Sequence, residues 1–545
     1  MSIPASRMGR ALLLFGGALL LGCSESSRTP EGGMAGVSAA AGGGAGTTAI
    51  DAARPGVFVH GGALEGRVVM ENVQAFLGIP YASPPVGPLR FGRPEPHAGW
   101  PAVRDASVFA SRCPQQPASA QGETEDCLYL NVWTPARAPE DRLPVMVWMH
   151  GGGNTTGSAG DPAAGPDSES LYDGGRLSAR HGVVVVTLNY RLGVFGFFSH
   201  PALEGEGVTG GNQGLWDQRL ALQWVQENVA TFGGDPANVT IFGESAGSLD
   251  VCLHVVSPRS GGLFHRAISQ SGACTTRRRT AAEADPQGHE VAMQLGCAGS
   301  EQLACLRAKP VGELLDLASG VFAPIVDGDF VPDQPRALFD RGEVAAVPYI
   351  LGTNSDEGSG FVLDAADVNA TSYLTQLAAR FPPPVEEIAQ RYPASAFAGA
   401  LNPHFAALAR AVGDARFVCV ARDTALRAHA AGLAVYAYNF DVPIDGPDGV
   451  LGAVHAFDLG FVFGTWPMLA PETQAVSDRM MAYWTAFAGE GDPNVSDLLA
   501  WPRFTDSADV RMNFGLQSSV VSDFRAAECA FWRRRYDAAF AVAAP

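Results

Sequence analysis

Two runs of the chain are apolar almost without interruption: "LPVMVWMH" (143–150) and "VVVVTLNY" (183–190). An unbroken, β-branched run marks a strand buried on both faces, as in a parallel sheet. "NVTIF" (238–242), "YILGTNSDEG" (349–358) and "AVYAYNF" (434–440) read as further strands with polar exits. Between them, "LWDQRLALQWVQENVATF" (215–232) has apolar residues at 216, 220, 224, 225, 229 and 232, a helical period. Strands alternating with helices predict an α/β fold with a large, mostly parallel central sheet flanked by helices. Active sites in such sheets gather where the strands stop.

From about residue 56 no composition break or internal repeat interrupts this pattern, so 56–540 reads as a single domain. Ahead of it, Arg7 and Arg10 precede the short apolar stretch "ALLLFGGALLLG". Residues 1–22 thus read as a signal peptide, too short for a comfortable membrane span. The stretch ends in "LLGC", which resembles a bacterial lipobox with Cys23 as the lipidated first residue of the mature protein. The alternative is an ordinary signal peptide cleaved further along. Residues 23–55 are rich in Gly, Ala and Ser and read as a flexible tether. Ser24 provides no Asp-type retention signal, which points to the outer membrane; periplasmic or secreted protein is the alternative. A net charge of -19 argues against a nucleic-acid partner, which needs clustered Lys and Arg. Nine cysteines in an exported chain suggest disulfides. Setting Cys23 aside, Cys113 with Cys127 and Cys297 with Cys305 would each close a short loop, but spacing leaves the connectivity open. The oligomeric state is open as well.

The strand ends hold the candidate chemistry. "TIFGESAGSLD" (240–250) places Ser245 between two glycines, where a strand would turn sharply into a helix and expose one hydroxyl. Alone, Gly-x-Ser-x-Gly is a weak pattern, equally read as a turn. "HGGGN" follows strand 143–150, and three glycines there let backbone N–H groups point at an oxyanion. Glu357 lies just past strand 349–353, and His455 lies in the loop after 434–440. Ser245, Glu357, His455 is the acid-before-histidine order of α/β-hydrolases.

With "FLGIPYASPPVGPLRF" (76–91), "EDCLYLNVW" (125–133), "NYRLGVFGF" (189–197), "GNQGLWDQRLALQWVQENVATFGGDPANVTIFGESAG" (211–247), "SQSGA" (269–273) and "HAFDLGFVFG" (455–464), the chain resembles the type-B carboxylesterase family, cholinesterases included, over about residues 56–535. The resemblance implies an α/β-hydrolase fold and hydrolysis of a small-molecule carboxylic ester through an acyl-enzyme, with no metal and no organic cofactor. It implies Ser245 as nucleophile, Glu357 as acid and His455 as base. It implies an oxyanion hole from Gly152, Gly153 and Ala246, and support behind the histidine from Ser271 and Asp458. It further implies disulfides Cys113–Cys127, Cys297–Cys305 and Cys419–Cys529, and a structural ion pair of Arg90 with Glu125. Cys252 and Cys274 are left over, as free thiols or an extra bridge.

Departures from the family pattern bear on the substrate. Between Cys113 and Cys127 there is no aromatic residue, so the tryptophan that receives choline in cholinesterases has no counterpart. Uncharged esters are therefore expected. Asn154 stands where a large aromatic is usual, changing one wall beside the oxyanion hole. The segment 157–175 looks longer than usual; it reads as a lid or as a surface loop, and its "GDPAAGPDSES" is too polar for the apolar lid of a lipase or polyester hydrolase. Ala318 and Gly320 suggest a roomy acyl pocket. A non-catalytic adhesion homologue, which would lack triad residues, is the reading from another class.

Overall fold

The computed structural model describes residues 54–542 except 118–122, 161–169, 209, 318–321, 445–448 and 467–469. In chain order its strands are β1 (Gly56–Val59), β2 (Gly62–Glu65), β3 (Arg67–Met70), β4 (Val73–Pro80), β5 (Arg104–Asp105), β6 (Tyr129–Thr134), β7 (Leu143–Met149), β8 (Val184–Leu188), β9 (Gly234–Glu244), β10 (Arg266–Gln270), β11 (Tyr349–Asn354), β12 (Val435–Phe440), β13 (Val510–Phe514) and β14 (Ser519–Ser522). Strands β1, β2 and β5 make a small sheet; the other eleven form one sheet in the order β14-β13-β12-β11-β10-β9-β7-β8-β6-β4-β3. The span from β8 to β13 is wholly parallel. Antiparallel pairs close both ends, so the sheet is mixed, parallel through its middle.

The uninterrupted apolar runs are explained by the two layers they serve. Successive strand residues point to opposite faces. Val145, Val147, Met149, Val184, Val186 and Leu188 enter one core, whereas Met146, Trp148 and Val185 enter the core on the other face. Each such fully buried aliphatic side chain contributes about 1.5–3 kcal/mol. The expected helix over 215–232 is an α-helix Gln213–Asn228 that tightens into a 3₁₀ turn Val229–Phe232. A third core packs Val362, Tyr392, Phe405 and Trp532 beside the sheet.

Strand order reverses around β7, which lies between β8 and β9 although both follow it in sequence. Loops leaving such neighbours part from one another and open a crevice at the carboxyl ends. The glycine loop leaves β7, the elbow leaves β9, and the acid's loop leaves β11.

Four disulfides are present: Cys113–Cys127, Cys252–Cys274, Cys297–Cys305 and Cys419–Cys529. The pair left open by the sequence is thus bridged, joining helix Ala246–Val256 to the segment after β10. Arg90 holds Glu125 through two hydrogen bonds, Nε at 2.7 Å and Nη2 at 2.5 Å, with both side chains nearly buried.

Removing the Cys252–Cys274 bridge by a double substitution to Ala should destabilise the fold by about 3 kcal/mol, the amount expected for a closed loop of this length. Urea unfolding would read this as a lower midpoint. An unchanged midpoint would show that packing alone holds these segments.

Candidate active site

Strand β9 ends at Glu244 and the next helix starts at Ala246, so the turn between them is Ser245 alone. Its backbone sits at φ 55°, ψ −117°, a conformation that costs a side-chain-bearing residue about 1–3 kcal/mol. The flanking glycines permit it. A Cβ on Gly243 would lie 2.6 Å from the Gly247 carbonyl, and one on Gly247 would lie 2.0 Å from Met149 O. The Ser245 N–H donates to Gln270 O at 2.9 Å, and its C=O accepts from Leu249 N at 3.0 Å. The side chain is half-buried at the start of the helix.

Glu357 is fully buried just beyond β11. Its Oε1 accepts from Asn354 N at 2.7 Å, and its Oε2 meets His455 Nδ1 at 2.5 Å. This contact places a proton on Nδ1, and Nε2 can accept one only when the ring is neutral. Phe417 and Phe361 pack on the imidazole, with ring centroids 4.4 Å and 5.1 Å away. Phe417 is carried by a π-helical turn, Asp414–Val418, a local irregularity common at functional sites. His455 Nε2 lies 3.0 Å from Glu244 Oε1, the residue just before Ser245. Among the described residues no hydrogen bond joins Ser245 to His455.

Burial pushes the Glu244 carboxyl up to about 8, opposed by His455 and reinforced by Asp458 and Glu357. Burial lowers His455, but the Glu244 and Glu357 carboxylates outweigh it and raise the imidazole to about 9.

The glycine loop runs in the left-handed region, with φ 101° at Gly152 and 67° at Gly153. A Cβ on Gly152 would meet Thr156 O at 2.2 Å. Both glycines are exposed, and Ala246 begins the neighbouring helix. Among the described residues no backbone partner takes the N–H of Gly152, Gly153 or Ala246. The loop is pinned from below by His150, stacked on Tyr190 with centroids 4.4 Å apart, and from the side by Gln115 Nε2 donating to Gly157 O at 2.9 Å. Asn154 does not stand as a wall beside the glycines; its side chain is buried and hydrogen-bonded inward.

Ser271 and Asp458 do not hydrogen-bond His455. Asp458 accepts from Tyr438 Oη at 2.9 Å, Gln270 Nε2 at 3.0 Å and Asn354 Nδ2 at 3.3 Å, so it acts on the strand ends that carry the acid. Burial, with Glu357 nearby, raises its carboxyl. Ser271 adopts φ 53° after β10 and its N–H donates to Gly352 O at 2.8 Å. Its buried hydroxyl has no partner among the described residues. Ala318, Gly320 and residues 161–169 of the 157–175 segment lie outside the described residues. Among the described residues no cluster of His, Cys, Asp and Glu is arranged to hold a metal ion.

The profile of the carboxylesterase family matches residues 53–532. The chain belongs to the carboxylesterase family. It is a carboxylic-ester hydrolase. Among curated relatives, it is 35% identical to an acetylcholinesterase of Bungarus fasciatus over 517 residues, covering 85% of this chain and 82% of that protein. It is 36% identical over 541 residues to a medium-chain fatty acyl-CoA hydrolase precursor of Anas platyrhynchos, covering 89% and 93%. It is also 36% identical over 525 residues to an acylcarnitine hydrolase of Mus musculus, covering 87% and 90%.

Sequence reasoning passed over Glu244, Gln270, Phe361, Phe417 and Tyr438. Glu244 carried a signal: it is the variable residue of Gly-x-Ser-x-Gly, directly ahead of the serine. Its carboxylate favours protonated His455, and a protonated ring cannot accept a proton from a serine. Glu244→Gln removes that carboxylate, so His455 should deprotonate at lower pH. The acid limb of the kcat/KM profile is expected to move toward lower pH. A limb that stays put, or moves up, would show that Glu244 does not control the ring.

Proposed function

We propose that this carboxylesterase cleaves uncharged carboxylic esters through an acyl-enzyme on Ser245. The observation that carries this reading is the 2.5 Å contact of His455 Nδ1 with Glu357, set beside a serine held at a strand-to-helix elbow. Glu357 fixes the tautomer, and His455 Nε2 takes the Ser245 hydroxyl proton as Oγ attacks the ester carbonyl. The carbonyl oxygen, now negative, accepts from the N–H groups of Gly152, Gly153 and Ala246. Collapse breaks the bond to the alcohol oxygen, which receives the proton from Nε2. Water, deprotonated by the same nitrogen, then attacks the acyl carbonyl and releases Ser245.

Although one relative is named an acetylcholinesterase, the loop from Cys113 to Cys127 has no aromatic face to hold a cation. Such a face is worth about 2 kcal/mol when desolvated. The test compares kcat/KM for butyrylcholine and its uncharged carbon isostere in the native enzyme and in Ser245→Ala. The native enzyme should show no choline preference, and the variant should lose both activities by several orders of magnitude. An organophosphate adduct should map to Ser245. A tenfold choline preference would defeat the substrate reading; an active alanine variant would defeat the mechanism.

We also propose that residues 1–22 are removed, that Cys23 is lipidated and that 23–55 tether a single catalytic unit, 56–540, to a bacterial outer membrane. The support is "LLGC" ahead of a Gly/Ala/Ser-rich stretch. Among the described residues no helix is long and apolar enough to cross a membrane. Metabolic labelling with a clickable fatty acid should mark Cys23. An unlabelled mature chain beginning beyond residue 23 is the outcome that rules this out.

A further inference from the structure

The three N–H groups assigned to the oxyanion come from two separate places. Gly152 and Gly153 belong to the loop after β7, and Ala246 to the helix after β9. Donors of this kind work only when fixed to within roughly 0.5 Å of the productive position. Something has to hold the two pieces in register.

One side-chain hydrogen bond joins them. Asn154, directly after Gly153, donates from Nδ2 to Asp250 Oδ1 at 3.1 Å. Asp250 is four residues past Ala246, one turn along the same helix face. Both residues are buried, Asn154 at 1% and Asp250 at 0% exposure. Asn154 sits at φ 57°, a left-handed position that asparagine tolerates better than most residues. Its backbone C=O accepts from Gly193 N at 2.7 Å, and its Oδ1 lies 3.1 Å from Tyr190 Oη, which also reaches His150 O at 2.8 Å.

On the far side, Asp250 Oδ2 accepts from Gln218 Nε2 at 2.6 Å. Gln218 Oε1 lies 3.0 Å from His254 Nε2, and His254 Nδ1 lies 2.7 Å from Ser260 Oγ. Burial lowers His254 to about 3, so its ring is neutral and has one donor and one acceptor. The donors then run in one direction: Ser260 to His254, His254 to Gln218, Gln218 to Asp250. Asp250 accepts from this chain on one oxygen and from Asn154 on the other. A buried chain of this kind is stiff when every member is satisfied.

We propose that Asn154 and Asp250 are positioning residues, whose hydrogen bond locks the glycine loop onto the elbow helix and fixes the geometry of the oxyanion hole. The proposal rests on Gly152, Gly153 and Ala246 being the oxyanion donors. Neither side chain touches substrate. Their effect is on the transition state, where the oxygen carries charge, and only weakly on the bound ester.

The test uses Asn154→Ala and Asp250→Asn in the full-length enzyme, with active sites counted by organophosphate titration. Asn154→Ala should lower kcat per titrated site by 10- to 100-fold, short of the loss of a whole donor, and change KM less than threefold. Affinity for a trifluoromethyl ketone, which forms a charged tetrahedral adduct, should fall in step with kcat/KM. Asp250→Asn keeps the shape but sets an amide N–H₂ against Asn154 Nδ2 or Gln218 Nε2, donor facing donor, so the chain from Ser260 to Asn154 is broken at this residue. It should cost roughly 3- to 10-fold in kcat, again with KM nearly unchanged, and it decides the matter if the alanine variant does not fold. The proposal is overturned if folded Asp250→Asn keeps native kcat per site and native ketone affinity, whatever its melting temperature. Failure of the oxyanion assignment itself reads differently: kcat would then fall without any loss of ketone affinity.

Discussion

Ser245 can stand where it does only because the residues two positions to either side of it, Gly243 and Gly247, have no side chain. Gly243 and Gly247 lie against one another, and Gly247 also lies against the last carbonyl of β7. This close approach brings two strand ends together: the one that delivers the serine and the one that delivers the glycine loop. A Cβ at either glycine would push them apart. The left-handed backbone of the serine is thus paid for by packing in the sheet beneath it, where both strands are buried on two faces. The site inherits its position from the sheet, and the sheet from the apolar runs that form it.

The electrostatics follow from placing so many acids in one buried region. Glu244, Glu357 and Asp458 surround a single histidine, and all three are buried. Burial and mutual repulsion push Glu244 and Asp458 toward their neutral forms. The ring has a carboxyl on each nitrogen, Glu357 at Nδ1 and Glu244 at Nε2. On the proposed mechanism, the positive charge that appears as His455 takes the serine proton is met by Glu357 at Nδ1. The same arrangement raises the resting imidazole, so it assists the charged ring and holds back the neutral one.

The sheet strands and the elbow were legible because each rests on local chemistry. A β-branched run such as 183–186 has few alternatives, and Gly-x-Ser-x-Gly states its own steric requirement. The three expected bridges came from resemblance to a family, and the Cys252–Cys274 bridge had no counterpart there to suggest it. Asn154 was read as a change in a wall because position along the chain says nothing of the direction in which a side chain points. Its left-handed φ turns it inward, toward an Asp250 that is distant in sequence. Phe417 was invisible for a similar reason, since a π-helical turn shifts the helical face by one residue and no apolar period predicts it. Contacts between elements depend on tertiary packing that a one-dimensional pattern does not contain.

Two sets of contacts hold the site together. The elbow helix and glycine loop are joined by Gly247, and the helix is bound to the β10 exit by Cys252–Cys274 and by Ser248 Oγ donating to Gly272 O at 2.8 Å. The acid and histidine loops are likewise joined. Asp356 N donates to Ala453 O at 3.0 Å, Ala453 N to Asp356 Oδ2 at 3.1 Å, and Asn354 Nδ2 to Val454 O at 2.8 Å. Glu357 and His455 therefore travel together. Between the two sets run the β10–β11 ladder with Ser271 N donating to Gly352 O, Glu244 against His455, and Gln270, whose C=O holds Ser245 N while its amide holds Asp458. Proton transfer from Ser245 to Nε2 crosses from one set to the other, whereas the oxyanion donors lie wholly within the first. Disturbing the contacts between the two sets should impair proton transfer more than oxyanion binding, because the oxyanion donors do not depend on them. The two catalytic tasks thus lean on different contacts, although they meet on one serine.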